Sequence, residues 1–441
     1  MERGRMLNIK NHFVGGAGYA PLTEATIRSF LSERPDVRAL LGGRLEEWSV
    51  REVGDGNLNL VFIVKGASGG VCVKQALPYV RLVGESWPLP LDRAYFEHQA
   101  LQSQTAVVPH LVPKVHHFDT PRAAIVMELL EPHIILRKGM IQAIRYPKIA
   151  GDIATFAAHT LFSTSDLAVP AAAKKERMAE FCLNTELCKI TEDLVFTDPY
   201  RIAQLNRWTS PQLDDMAAAF RADAELKIAV QELKWAFLTR AEALLHGDLH
   251  TGSVMVTTDD TRVIDPEFAF YGPMGFDLGA VIANLLLSFF SQDGHANAQD
   301  GRADYQGWIL DTMETFWHVF EARFLQLWRT DARGDAFSPS LFADPAAAQA
   351  LEAFRLKTMA RLFQDAVGFA GAKMARRILG LAHVEDMESI KDPDRRAACE
   401  RRALRLARML MISRGRLSSI AQVRQSAVDV RRDSMIQRVS G

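Results

Sequence analysis

The spacing of apolar residues changes period along the chain, and each change marks a new kind of element. Ile27, Phe30 and Leu31 fall on one helical face, Pro35 interrupts it, and Val37, Leu40 and Leu41 repeat the spacing. The first ~47 residues therefore predict a helical lead-in. From Ser49 the period shortens to two: Ser49-Val50-Arg51-Glu52-Val53 alternates as a strand does, and Gly54-Asp55-Gly56-Asn57 is a turn cluster. Leu58 to Lys65 resumes as strand, Gly66 to Gly70 turns again, and Val71 to Gln75 makes a third strand. Helical spacing returns over Arg93 to Gln104, and Ala123 to Leu130 is a short apolar run suited to a buried strand. Residues 1–132 thus predict an antiparallel sheet with a helix.

Residues 133–441 predict a larger, mainly helical second lobe. Helices are expected near 149–163, 173–190, 212–222, 224–244, 277–291, 307–329, 345–383 with breaks, and 394–415. One island interrupts them, Ala243 to Phe270, with strand patterns at Ser253–Thr257 and Thr261–Ile264. Asp293 to Asp304 is polar and predicts a loop, and the arginine-rich tail after Gly415 either docks or frays. The fold class is α+β in two lobes.

Composition changes this picture little. A chain of 441 residues exceeds one compact core. Its formal net charge of -1 provides no field for nucleic acid or an anionic membrane. The four cysteines form no CxxC pair, which argues against a zinc site or a disulfide framework. No apolar run follows the charged N-terminus as in a signal peptide. Leu278 to Phe290 is shorter than the ~18–20 residues of a membrane span and contains Asn284, so a buried helix is expected. A soluble, cytoplasmic protein follows as the expectation.

The chemistry concentrates in the island. His246-Gly247-Asp248-Leu249-His250-Thr251-Gly252-Ser253 is followed, twelve residues on, by Asp265-Pro266-Glu267. Gly247 and Gly252 favour a tight loop, and the two strand patterns after it would hold Asp248 and Asp265 on one rim. Phosphoryl transfer needs such a pair: one carboxylate orients and deprotonates the attacking hydroxyl, and the other holds Mg²⁺ against nucleotide phosphates. His246 and His250 could instead ligate a metal, but no third nitrogen ligand stands near them in sequence.

HGDLH, an apolar strand and a second strand ending in Asp together resemble the aminoglycoside phosphotransferase and choline kinase group, whose fold is protein-kinase-like. Lys74, in Val-Cys-Val-Lys, stands as the phosphate-binding strand lysine does, and Glu97 on the next helix stands as its partner. HGDLHTGS at 246–253, DPEFAFYGPMGFDLGA at 265–280, YVRLVGESWPL at 79–89 and KMARRILGLAH at 373–383 are together similar to the methylthioribose kinase family. The similarity runs from about residue 20 to 415.

That resemblance implies ATP and Mg²⁺ as cofactors, 5-methylthioribose as substrate, its 1-phosphate as product, and a homodimer. It implies that Asn57 and Lys74 contact nucleotide phosphates and that Glu128, Leu129 and Leu130 form the adenine hinge. Asp265, Pro266 and Glu267 would border the nucleotide, with Asp265 and Glu267 on the metal. Asp248 would be the base facing the sugar, and Arg376 and Arg377 would reach the substrate or the transferred phosphoryl. Ser253 departs from the metal-binding Asn of many kinases. Two other readings remain: a phosphotransferase for an amino alcohol, homoserine or an aminoglycoside, and an inactive ATP-binding module. The arginine pair disfavours a cationic substrate, and the complete set of lysine, base and metal carboxylates disfavours an inactive module.

Overall fold

The computed structural model describes residues 18–54, 58–80 and 84–439. Two short helices open it, α1 (Ile27–Ser32) and α2 (Pro35–Leu41). Pro35 takes the first helical position, where its missing N–H costs nothing. Strands β1 (Ser49–Glu52), β2 (Asn59–Lys65) and β3 (Gly70–Ala76) follow, then a small ribbon of β4 (Tyr79–Val80) and β5 (Gly84–Pro88). Helix α3 (Arg93–Thr105) precedes β6 (Val115–Asp119) and β7 (Ala124–Glu128). The main sheet has five strands in the order β1-β2-β3-β7-β6, antiparallel at every pairing. Leu60, Phe62, Val64, Val71, Val73, Ala124 and Val126 share one core with Ile27, Phe30, Leu31, Val37 and Leu41 of the lead-in helices. Because side chains alternate across a strand, Lys74 leaves that core by the opposite face, toward α3.

The remaining residues are mostly helical. A short strand β8 (Ile134–Ile135) leads into α4 (Leu136–Ile141), α5 (Ile149–Ser163), α6 (Ala171–Phe181) and α7 (Thr185–Phe196). Helices α8 (Asp214–Ala222) and α9 (Ala224–Thr239) come next, then β9 (Ala243–Leu244), β10 (Val254–Val256), β11 (Thr261–Val263) and β12 (Tyr271–Gly272). The chain ends in α10 (Gly275–His295), α11 (Ala303–Thr330), α12 (Pro345–Leu379), α13 (Glu385–Glu388), α14 (Pro393–Ser413) and α15 (Ile420–Val439). Asp344 and Asp392 cap α12 and α14, accepting N–H bonds at 2.9 Å from Ala347 and Asp394.

Helix α10 is long and apolar enough to cross a membrane, but its apolar window is entirely buried inside the protein, as the sequence led us to expect. It packs against α12 at close range. A Cβ added at Gly279 would lie 2.5 Å from the Ala366 carbonyl oxygen, so glycine is what lets the two backbones approach.

Three expectations need correction, and one strand of the main sheet was missed. The helix expected over 173–190 is two helices, because the chain turns at Cys182-Leu183-Asn184 and uses the Asn184 side chain elsewhere (below). Helix α9 stops at Thr239, and Ala243–Leu244 instead pairs with β12. Helix α12 runs unbroken to Leu379. The edge strand β6, Val-His-His-Phe-Asp, went unnoticed because two histidines blur its alternation. The tail docks through buried Ile420, Val423 and Ala427.

Candidate active site

Asp248 sits in a loop whose shape is set by its neighbours' backbone needs. Gly247 has φ of +85°, and a Cβ there would meet the Phe268 carbonyl oxygen at 2.2 Å, so only glycine lets the two acidic loops cross. The Asp277 carboxylate accepts the N–H of His246 at 2.7 Å and of Gly247 at 3.0 Å, tying the loop to the start of α10. Burial pushes Asp277 up to about 6, against the pull of those two N–H groups. His246 Nε2 donates to the Ile264 carbonyl at 2.9 Å, while Nδ1 accepts the Asp248 N–H at 3.3 Å. Burial lowers this imidazole to about 4, so it is neutral near pH 7. Both ring nitrogens are occupied within the protein, which removes it as a metal ligand.

His250 is likewise a structural partner. Its Nδ1 accepts the Gly252 N–H at 2.9 Å, and its Nε2 lies 3.1 Å from Asp248 Oδ2. Ser253 turns its hydroxyl to the Asp248 carbonyl at 3.0 Å, so it braces the loop. Lys373 Nζ donates to Asp248 Oδ1 at 3.1 Å, and Arg377 lies 3.6 Å from Oδ2. Burial would raise the Asp248 pKa, but His250, Lys373 and Arg377 outweigh it and hold the carboxyl well below the ordinary aspartate value. Its side chain keeps 19% exposure, so a carboxylate held ionised opens toward solvent.

Antiparallel pairing of β10 with β11 puts Asp265 on the same rim. Asp265 has φ of +70°, a backbone state unusual for a residue with a side chain. It forms a close ion pair with Lys74, and Lys74 also bonds Glu97 Oε1 at 2.9 Å. The lysine–glutamate pair expected from sequence is therefore formed. Glu267 Oε2 accepts from Asn59 Nδ2 at 3.0 Å and lies 3.4 Å from Arg93 Nε. Asn184 of the α6–α7 turn donates to the carbonyls of Glu267 and Ala269 at 2.9 and 3.0 Å, holding the loop from the other side.

Oxygen atoms of Glu97, Asp265 and Glu267 all lie within 4.8 Å of one another. Burial raises the pKa of Glu97 and of Asp265, and the neighbouring carboxylates add to it, while Lys74 only partly compensates. Lys74 itself is held above its ordinary value: burial works against its charge, and Asp265, Glu97 and Glu267 overcome that. Three carboxylates against two cations, Lys74 and Arg93, leave one negative charge in excess, carried by hard oxygen donors. That donor set fits a divalent cation of the magnesium type.

Arg376 and Arg377 lie on the last turns of α12 and are both buried. Arg376 Nε and Nη1 and Arg377 Nε have no hydrogen-bond partner. Buried guanidinium donors left open in this way suit an anion or hydroxyl-rich ligand. Glu128 ends β7, and its carboxylate accepts the Lys114 N–H at 3.0 Å; Leu129 and Leu130 follow it, half-buried. Pro266 is buried between the two acidic residues. Asn57 lies outside the described residues. The sequence reading missed Lys373, Asp277, Asn59 and Arg93. Lys373 had a signal: it precedes Arg376 and Arg377 by three and four residues, which places all three on one helix face.

A sheet-bearing lobe supplies a buried lysine–glutamate pair, a helical lobe supplies an ionised aspartate, and a metal-type carboxylate cluster lies between them. These define a small-molecule phosphotransferase of the protein-kinase-like fold. Residues 49–316 match the family model described as phosphotransferase enzyme family. Methylthioribose kinase 2 of Oryza sativa subsp. japonica is 50% identical over 409 residues, 92% of this chain and 95% of that protein. Methylthioribose kinase of Escherichia coli is 48% identical over 93% of this chain and 98% of that protein. That of Geobacillus kaustophilus is 45% identical over 82% and 87%. The chain belongs to the methylthioribose kinase family.

Proposed function

We propose that this chain transfers the γ-phosphoryl group of ATP to the 1-hydroxyl of 5-methylthioribose, with Asp248 as the acceptor that orients and deprotonates that hydroxyl. The bond from sugar O1 to phosphorus forms as the bond from phosphorus to the ADP oxygen breaks. The proton of the hydroxyl passes to Asp248 and then to solvent. The observation that carries the reading is the juxtaposition of an ionised Asp248, the Lys74–Glu97 pair and the Glu97–Asp265–Glu267 oxygens in a chain of this family.

The proposal carries the family's residue roles over to this chain. Lys74 neutralises nucleotide phosphate charge, with Asn57 assigned the same task, and Glu128, Leu129 and Leu130 face the adenine. Asp265 and Glu267 hold Mg²⁺, which supplies charge neutralisation at the phosphates when bound. Arg376 and Arg377 meet the transferred phosphoryl or the sugar. The anomeric hydroxyl is a hemiacetal and more acidic than an ordinary alcohol. It therefore suits an acceptor whose pKa is held low. The lobe division at 132/133, cytoplasmic location and a homodimer belong to the same reading. The test is product analysis. Incubation with ATP, Mg²⁺ and 5-methylthioribose should give ADP and one sugar monophosphate, with the phosphorus coupled to the anomeric proton in its NMR spectrum. Phosphate on another hydroxyl would overturn the assignment.

A further inference from the structure

Asp248 is held by three side chains: His250 of its own loop, a neutral hydrogen-bond donor, and two cations of α12, of which Arg377 alone has so far been given a role. The third, Lys373, sits one helical turn before Arg377 on α12, 125 residues away in sequence. It is nearly fully buried, with 5% of its side chain exposed. Its ammonium lies 4.2 Å from the centroid of the Phe276 ring, the residue beside loop-anchoring Asp277. A buried lysine is expensive unless a carboxylate answers it, and here Asp248 Oδ1 does so at 3.1 Å.

We propose that Lys373 is a positioning residue for phosphoryl transfer: it clamps Oδ1 of Asp248 and keeps the carboxylate ionised and aimed at the incoming hydroxyl. This rests on the reading of Asp248 as the hydroxyl acceptor. Each carboxylate oxygen has two lone-pair sites, so the bonds from Lys373 and His250 leave one free on each oxygen for the sugar. The close passage of α12 over α10 at Gly279 carries the lysine to this point.

The clamp should be sensitive to alkali. Burial lowers the Lys373 pKa to about 8, Asp248 pulls it up, and Arg376 and Arg377 on its own helix push it down. Asp277 of α10 and His246 of the catalytic loop also feel its charge. The lysine is therefore charged below pH ~8 and loses its hold on Asp248 above it, so kcat should fall on the alkaline side.

The experiment compares wild type, Lys373→Met, Lys373→Arg and Asp248→Asn, with kcat and KM for ATP and 5-methylthioribose measured between pH 6 and 10. ATP binding and thermal melting serve to count folded protein. Lys373→Met should lower kcat by ~10²-fold, the scale for losing one preorganised electrostatic partner, with KM for ATP unchanged and the limb near pH 8 gone. Lys373→Arg should restore part of kcat and move the alkaline limb upward. If Lys373→Met lowers only the melting temperature, or keeps the wild-type kcat and alkaline limb, the proposal is overturned. If Asp248→Asn retains activity, the underlying reading of Asp248 fails instead, whatever the lysine variants do.

Discussion

Single residues here act through the partners that set their charge. Asp248 is ionised because three cationic or donor groups outweigh its burial, so removing its charge should matter more than removing its shape. Asp248→Asn keeps the shape and the loop's hydrogen-bonding capacity. It should cut kcat by ~10²–10⁴-fold, the usual contribution of a positioned proton acceptor, and leave ATP affinity near wild type. Steady-state kinetics with a parallel nucleotide-binding titration read both quantities, and a kcat above half the wild-type value would take Asp248 out of the reaction. Much at this scale was legible in the sequence. HGDLH, the Asp-Pro-Glu triplet and the strand lysine are local strings, and their chemistry follows from residue type and order. Lys373 shared a helix face with the arginine pair, but Asn59 and Arg93 were not legible, because each meets Glu267 across a long stretch of chain. No local pattern announces such a meeting.

Elements hold these residues only as well as they pack. The approach of α10 to α12 is the step that brings Lys373, Arg376 and Arg377 onto the Asp248 loop, and Gly275 and Gly279 are its close points of contact. Gly279→Val would push a side chain against the Ala366 carbonyl. Overpacking of this kind costs ~1–3 kcal/mol, read as a lower urea midpoint at unchanged slope. Activity per folded molecule should fall as well, because α12 must shift to relieve the clash. An unchanged midpoint would mean the helices yield without cost. Sequence periodicity predicted the long helices α5, α10, α11 and α14 to within a few residues, since many apolar positions repeat in each. The two-residue strands β8, β9 and β12 were invisible to it, being too short for alternation to register. The break at Asn184 was equally hidden, because its reason is a hydrogen bond to the Glu267 loop.

At the scale of the whole molecule, the sheet and the helical region meet through charge. Lys74 and Glu97 come from the sheet and α3, Asp265 and Glu267 from the loop after β11, and Asn59 and Arg93 bind Glu267 across the same gap. A divalent cation would tie these carboxylates further. ATP with Mg²⁺ should therefore raise the melting temperature more than ATP with excess chelator, and turnover should require the metal. Asp265→Ala should abolish turnover more completely than Glu267→Ala, since Asp265 also pairs with Lys74. Full activity in chelator would contradict the assignment of both residues. Division into a sheet lobe and a helical lobe was plain from the change of hydrophobic period. The docking of α15 was not, because its few buried positions, Ile420, Val423 and Ala427, are separated by polar residues such as Gln422, Arg424 and Gln425.

Substrate choice is the most direct test of the central claim. Methylthioribose differs from ribose in carrying a methylthio group in place of the 5-hydroxyl. An apolar site rejects an added hydroxyl by only ~10² in kcat/KM, and the lost burial of the thiomethyl group adds ~1–2 kcal/mol at most. The measurement is kcat/KM for 5-methylthioribose, ribose, choline, homoserine and kanamycin at the same ATP and Mg²⁺ concentrations. The account predicts that methylthioribose leads ribose by ~10²–10³-fold and that the three amines show no turnover above background. Equal values for the two sugars, or a preference for any amine, would contradict it.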